Sequence, residues 1–256
     1  FARPDTIGHF LKWAFGSVTS TQIGVTVMYK HTFKIADAIK SFTLSDNRGI
    51  TGLNSRFLIG SLIRGLTLEA PARELVTCDL DLLYAWEDLA TAPTMGTLST
   101  LRPFVFHDGA VELPSGTVLA RVEAFSARIE NEIPDDIHEV GSRKLPLILL
   151  EGAAITGEVE LKFESWAMRQ RFYGAAAATE PQEEAATVGM ILKLVGEPTG
   201  VTDKPNYEVN VTLPTVILTE QPSTVSRRER LTQTFSFKAM RHADSRVELF
   251  NKDTAY

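Results

Sequence analysis

The sequence predicts an all-β fold with two short helices. Three observations lead there. Segment after segment alternates apolar and polar residues with period two, turn residues separate these segments, and only two stretches carry apolar residues at helical spacing. In chain order the first element is a helix. Asp5 is a suitable N-cap, Ile7, Phe10, Leu11 and Ala14 fall on one face, and Gly16 stands where the helix must end. Residues 56–69 form the first long strand, in which Leu66 and Leu68 alternate with Thr67 and Glu69. After the breaker Ala70-Pro71-Ala72, residues 74–82 turn Val76, Cys78, Leu80 and Leu82 one way and Thr77, Asp79 and Asp81 the other.

Residues 117–129 repeat the pattern through Val118, Ala120, Val122 and Ala124, with a slip before Ala127 and Ile129. In 155–163, Val159, Leu161 and Phe163 oppose Glu158, Glu160 and Lys162. A second helix follows, capped by Ser165, with Trp166, Phe172 and Tyr173 clustered and Gly174 at its end. Residues 175–187 hold few large apolar side chains and read as an exposed loop. Two late strands, 207–218 and 231–240, complete the set; in the latter Phe235 and Phe237 alternate with Thr234, Ser236 and Lys238. Each pattern is that of an antiparallel strand with one face buried. Turn signals stand at Asp46-Asn47-Arg48-Gly49, His107-Asp108-Gly109, Pro114-Ser115-Gly116 and Pro134-Asp135-Asp136.

Composition bounds the function. The chain has 256 residues, 26 Lys+Arg against 32 Asp+Glu, and a net charge of −6, with 44% hydrophobic residues. Its pI is near 5.5 and its mean hydropathy −0.02. That length suits one large domain or two small ones, and the balance is that of a globular chain rather than a disordered one. No apolar run approaches the ~18 residues of a membrane span, and no basic segment followed by an apolar one opens the chain. An acidic total argues against a protein that grips phosphates. The chain starts on Phe1-Ala2-Arg3-Pro4, so further residues are expected upstream.

The two helices suggest a tandem duplication. Gly8–Gly16 and 166–174 match in character, and the same pieces follow each: 25–33, 57–69 and 75–86 after the first, 188–195, 207–220 and 231–242 after the second. The offset stays at about 150–160 residues, a drift that loop insertions absorb. This gives a first domain over 1–95 and a second over 96–256, joined by the Thr/Ala/Ser-rich connector 88–103. Strands 117–129 and 155–163 have no counterpart before the first helix, and that counterpart is expected upstream of Phe1.

Chemistry is hard to find. His9, His31, His107, His138 and His242 show no HxH or HExxH spacing, so no metal site is read. His107-Asp108-Gly109 is a turn signal without a nucleophile elbow beside it. The single cysteine, Cys78, can form no internal disulfide and sits on the apolar face of its strand. The acidic pairs Asp79/Asp81 and Glu158/Glu160 lie on polar strand faces, where spacing along one strand shows no catalytic cleft. Arg227, Arg228 and Arg230 form the densest basic cluster, interrupted by Glu229 and without an aromatic stack, which reads as a protein contact. No catalytic, cofactor or metal residue is assigned.

The order of several pieces closely resembles the tail tube proteins of long flexible-tailed bacteriophages. They are Gly8–Ser17 (GHFLKWAFGS), Tyr29-Lys30-His31-Thr32-Phe33, Ser41-Phe42-Thr43-Leu44, Gly65-Leu66-Thr67-Leu68 and Leu101-Arg102-Pro103-Phe104 through His107-Asp108. The resemblance continues through 122–131, Gly141-Ser142-Arg143, 157–163 and 233–240, nearly the whole chain. The family's N-terminal portion has no counterpart here, and 165–174 matches loosely. The resemblance implies β-sandwich or barrel tube domains, each flanked by a short helix, whose subunits close into rings that stack into a tube. Viral DNA passes through the lumen without specific binding, and the family has no catalytic activity and needs no cofactor. The partners implied are the chain itself, as three duplicated copies or six per ring, and other tail proteins; the place is the virion tail, with the host cytoplasm during assembly and no membrane. Acids on an inward face would repel phosphates within ~8–10 Å, so Asp79/Asp81 or Glu158/Glu160 are the candidates to face the lumen. Arg227, Arg228 and Arg230 are the candidates for inter-subunit contact, and the loops 46–55 and 131–146 could serve as arms to a neighbouring ring.

Two other readings stand beside this one. A related ring component, a tail terminator or distal tail protein, would cap rather than polymerise. A β-sandwich carbohydrate-binding protein or hydrolase would use the acidic pairs, with Trp13, Trp86 and Trp166 as sugar platforms, although Trp13 and Trp166 fall in helices that need them for packing.

Overall fold

Alternation of apolar and polar residues makes sheet the only way for this chain to bury its aliphatic side chains while keeping its acids wet. The structure, a computed structural model, describes residues 1–47, 55–91, 93–94, 99–134, 151–163, 165–175, 177–183, 187–220, 232–240 and 244–256. The elements are α1 (Ile7–Phe15), β1 (Gly16–Gln22), β2 (Tyr29–Ile35), β3 (Phe42–Asp46), β4 (Ser55–Ala70), β5 (Thr77–Leu83), β6 (Trp86–Ala90), β7 (Gly109–Glu112), β8 (Val122–Glu132), β9 (Gly152–Lys162), α2 (Ala167–Phe172), β10 (Val188–Pro198), β11 (Asn206–Glu220), β12 (Thr232–Ala239) and β13 (Arg246–Asn251). The all-β expectation holds: these 13 strands form one antiparallel sheet whose main path runs β1-β2-β13-β11-β12-β9-β8-β4-β3. β5 and β6 branch from β4, and β10 joins β11 to β7.

Two strands carry the topology. β4 pairs with β3 and β6 along its first half (Ser55–Ser61) and with β5 and β8 along its second (Leu62–Ala70). The change of partners falls at Gly60, whose φ of +67° is strained for any side chain, and where a Cβ would lie 2.9 Å from Ala85 Cβ. β11 does the same. Glu208–Thr212 pairs with β13, and Val216–Glu220 with β12. Pro214, which has no N–H to give to a ladder, stands between the two stretches. The order of service also matches. The first half of each long strand is flanked by the strand before it (β3, β10) and by the second strand after it (β6, β13), and the second half by the strand that follows directly (β5, β12); they differ in that β10 stays with β11 as far as Val216 and that β8 also joins the second half of β4.

One side of the sheet is dry. Ile63, Leu66, Ile155, Val159, Phe235 and Phe237 are each at most 1% exposed, and α1 lays Ile7, Leu11, Ala14 and Phe15 against the same core. A fully buried aliphatic or phenyl side chain contributes about 1.5–3 kcal/mol. Asn131, buried at the end of β8, donates to Ala14 O (3.0 Å) and Ile63 O (2.8 Å), tying the last turn of α1 to β4.

Several expectations need correction. Asp5 is not the cap of α1; Thr6 occupies that position without a side-chain hydrogen bond, while Gly16 ends the helix in the left-handed conformation as expected. The strand expected over 117–129 begins only at Val122, because Arg121 takes φ +58° and breaks the ladder. β2 begins at Tyr29, since Val25 sits in the preceding turn. The connector 88–103 overlaps β6. The arms at 46–55 and 131–146 fall mostly outside the described residues, although Asn131 and Glu132 belong to β8.

The two ends of the chain meet over a buried polar cluster. His31 Nε2–H donates to Asn251 Oδ1 (2.9 Å) and its Nδ1 accepts from Ser20 Oγ–H (2.8 Å); Asn251 Nδ2 donates to Pro4 O (2.9 Å). Tyr256 donates to Asp253 (2.6 Å) and lays its ring on Gly8, where a Cβ would come within 2.1 Å of the ring. Gly8→Ala is therefore expected to displace Tyr256 and to cost about 1–3 kcal/mol of stability, read as a lower urea midpoint. Burial lowers the His31 pKa below its ordinary 6.5, against the pull of Asn251 and Asp253. The unfolded chain thus binds the extra proton more readily. The stabilisation is complete above about pH 6.5 and is lost as the pH falls toward the depressed folded value. Titrating stability against pH should show this slope in the native chain and its absence in His31→Gln.

Candidate functional site

The register places both acidic pairs on one surface. Across β5 and β4, Asp79 faces Thr67 and Asp81 faces Gly65; across β4 and β8, Thr67 faces Arg128 and Glu69 faces Ser126. Across β8 and β9, Ser126 faces Glu158 and Ala124 faces Glu160; across β9 and β12, Glu158 faces Ser236 and Thr156 faces Lys238. Directly opposed residues share a face of the sheet. Asp79, Asp81, Glu158 and Glu160 therefore stand on a single polar face, on the far side from the core. Glu69, Glu130 and Glu132 join them, against Arg128, Lys162 and Lys238, so acids dominate.

Local chemistry keeps this face wet and open. Asp79, Asp81 and Glu158 are exposed and Glu160 half-buried. Their contacts are light: Thr77 Oγ1 donates to Asp79 (3.2 Å), Ser236 Oγ to Glu158 (3.4 Å), and Arg64 lies 4.0 Å from Asp81. Thr67, Ser126, Arg128, Thr156, Glu158 and Lys238 line a shallow trough across the middle strands. The two acidic pairs are three strand spacings apart, about 14 Å at the usual inter-strand distance, too far for paired catalytic carboxylates.

Other residues singled out by sequence serve the fold. Asp108, 5% exposed in its side chain, takes a two-pronged bond from Arg102 (2.8 and 3.0 Å) and a third from Val105 N–H (2.9 Å). The Cys78 thiol is pushed up to about 11, by burial first and by neighbouring Asp79 second. Trp13 stacks on Phe42 with ring centres 4.4 Å apart, as its helical position required. Trp166 does not pack as expected; it precedes α2, is 58% exposed, and meets the Phe163 ring edge-on. Among the described residues no group of three His, Cys, Asp or Glu could hold a metal. His138, His242, Arg227, Arg228 and Arg230 lie outside the described residues.

The sequence search missed one feature of this surface, the opposing strands' shared face. The signal was present in the alternation of each strand, but register between strands is set by the whole sheet. An amphipathic antiparallel sheet with an extended acidic face defines a protein that works through surfaces rather than a pocket. The family described as phage tail tube protein matches residues 1–239, and the chain belongs to that family. No curated protein matches it. The family is structural, its place is the virion tail, and its members assemble with themselves and with other tail proteins. The match ends before β13, the strand that joins β2 to β11.

Two outcomes test these assignments. Asp108→Ala should lose roughly 1–3 kcal/mol by orphaning Val105 N–H and Arg102, seen as a lower thermal midpoint. The folded protein should resist thiol alkylation at pH 8, with Cys78 labelled only after denaturant is added.

Proposed function

We propose that this chain is a non-enzymatic wall subunit of the tail tube, that copies close into rings, and that the acidic sheet face lines the channel through which viral DNA passes. The carrying observation is the shared face of Asp79, Asp81, Glu158 and Glu160 on a sheet with open edges. β5 pairs only with β4, and beyond Val216 β11 pairs only with β12 among the described residues. Unpaired edges recruit other chains, and closure around a ring removes them. A conduit must not hold its cargo: carboxylates within a Debye length of about 8 Å repel phosphates and let the polymer slide.

The duplicated reading, with domains at 1–95 and 96–256, is supported by the exchange of partners midway along β4 and β11, two strands it aligns. Three chains then supply six tube units per ring. Arg227, Arg228 and Arg230 are proposed at the contact between subunits. The mass of an isolated ring decides the count: three chains support the duplication, and six count against it. For the channel, Asp79→Lys with Asp81→Lys, and Glu158→Lys with Glu160→Lys, should leave rings intact and slow DNA release from particles. Unchanged release in both would remove these residues from the lumen.

A further inference from the structure

Two exposed apolar features play no part in the core. The first is the turn between β1 and β2, which is fixed by its own hydrogen bonds. Ile23 N–H donates to Met28 O (2.9 Å), Thr26 Oγ1 to Ile23 O (2.6 Å), Met28 N–H to Thr26 Oγ1 (3.1 Å), and Gln22 Nε2 to Thr26 O (2.6 Å). Met28 is buried inward, and this geometry leaves Val25 fully exposed and Val27 60% exposed. Scattered surface valines need no explanation, but two on a pinned turn form a knob that loses little freedom on binding. Asp203 lies beside it, with Oδ2 3.4 Å from where a Gly24 Cβ would stand. Asp203 is exposed and has no cation partner among the described residues.

The second feature is a cleft of about 540 Å³ lined by Trp166, Arg169, Gln170, Tyr173, Ala178 and Thr179. Arg169 lies over the Tyr173 ring (5.5 Å) and donates to its hydroxyl (3.1 Å), and has no carboxylate partner among the described residues. The cleft thus offers aromatic walls and one unneutralised guanidinium.

Their positions are opposed. Gln22 pairs with Tyr29, Lys30 with Phe250, and Phe250 with Glu208, so the knob projects past the start of β11. The segment bearing the cleft leaves the sheet at Lys162, opposite Thr232, and returns at Val188, opposite Val216, near the end of β11. Fifteen residues of strand span roughly 45–50 Å. We propose that Val25 and Val27 of one copy seat in the Trp166–Tyr173 cleft of the next, with Asp203 meeting Arg169. Apolar knob and aromatic walls match, the free charges are opposite, and patches at opposite ends give a head-to-tail contact that repeats. The inference rests on the tube reading and gives it an axial contact.

The test uses the full chain. Val25→Asp with Val27→Asp, at exposed positions, should keep the thermal midpoint and ring mass while cutting the population of stacked rings by about tenfold or more in sedimentation. Arg169→Asp alone should do the same, and adding Asp203→Arg should restore stacking. Val25→Cys with Thr179→Cys should give a covalent ladder of chains under mild oxidant. Tubes of native length from the valine variant would overturn the contact while leaving the tube reading intact. So would loss of rings together with stacks, or Val25→Cys alone cross-linking as efficiently as the pair. A native chain that never forms rings would overturn the tube reading itself.

Discussion

The structure depends on one constraint: a long strand can satisfy its backbone only if partners are found along its entire length. β4 and β11 are too long for any single neighbour, so each exchanges partners midway, at Gly60 and around Pro214. Each exchange swings the chain from the outer hairpins into the shared central sheet. The core, the position of α1 and the acidic face all follow from where those two exchanges fall.

The acidic face shows how a side chain's role is fixed at different levels. Alternation along β5 and β9 already turned Asp79, Asp81, Glu158 and Glu160 away from the core. Register then gathered them onto one surface, through β4 and β8, with Thr67 and Ser126 between. Light contacts leave them open to solvent on that surface. The buried acid Asp108 has the opposite circumstances, held by Arg102 and a backbone N–H as part of the frame.

Much of this was legible in the sequence. The strands with strong alternation, such as β9 and β12, were read close to their true bounds because their buried face demands it. β1, with the sequence GSVTSTQ, was invisible: an edge strand of small polar residues carries no pattern, and only pairing with β2 makes it a strand. β13 escaped for another reason. Its RVELFN alternates well but is short, and its place between β2 and β11 comes from distant parts of the chain. Trp166 is exposed because it caps α2 instead of opening it: the helix starts one residue later than the Ser165 cap implies. Of the surface features, the acids were visible as types, whereas the Val25 knob depends on a turn whose hydrogen bonds no local pattern announces.

The seating of β13 has a consequence for the order of events at the ribosome. Among the described residues β2 has its strand neighbours in β1 and β13, and Tyr29 pairs with Asn251, far along the chain. At roughly 5–20 residues per second, synthesis of the intervening chain takes about 10–40 s. During that interval the opening hairpin has an unfilled border, while the middle of the sheet can already zip through β4 and β8. Arrival of β13 is thus a late checkpoint: the border of β2 stays unfilled until a strand made some two hundred residues later reaches it.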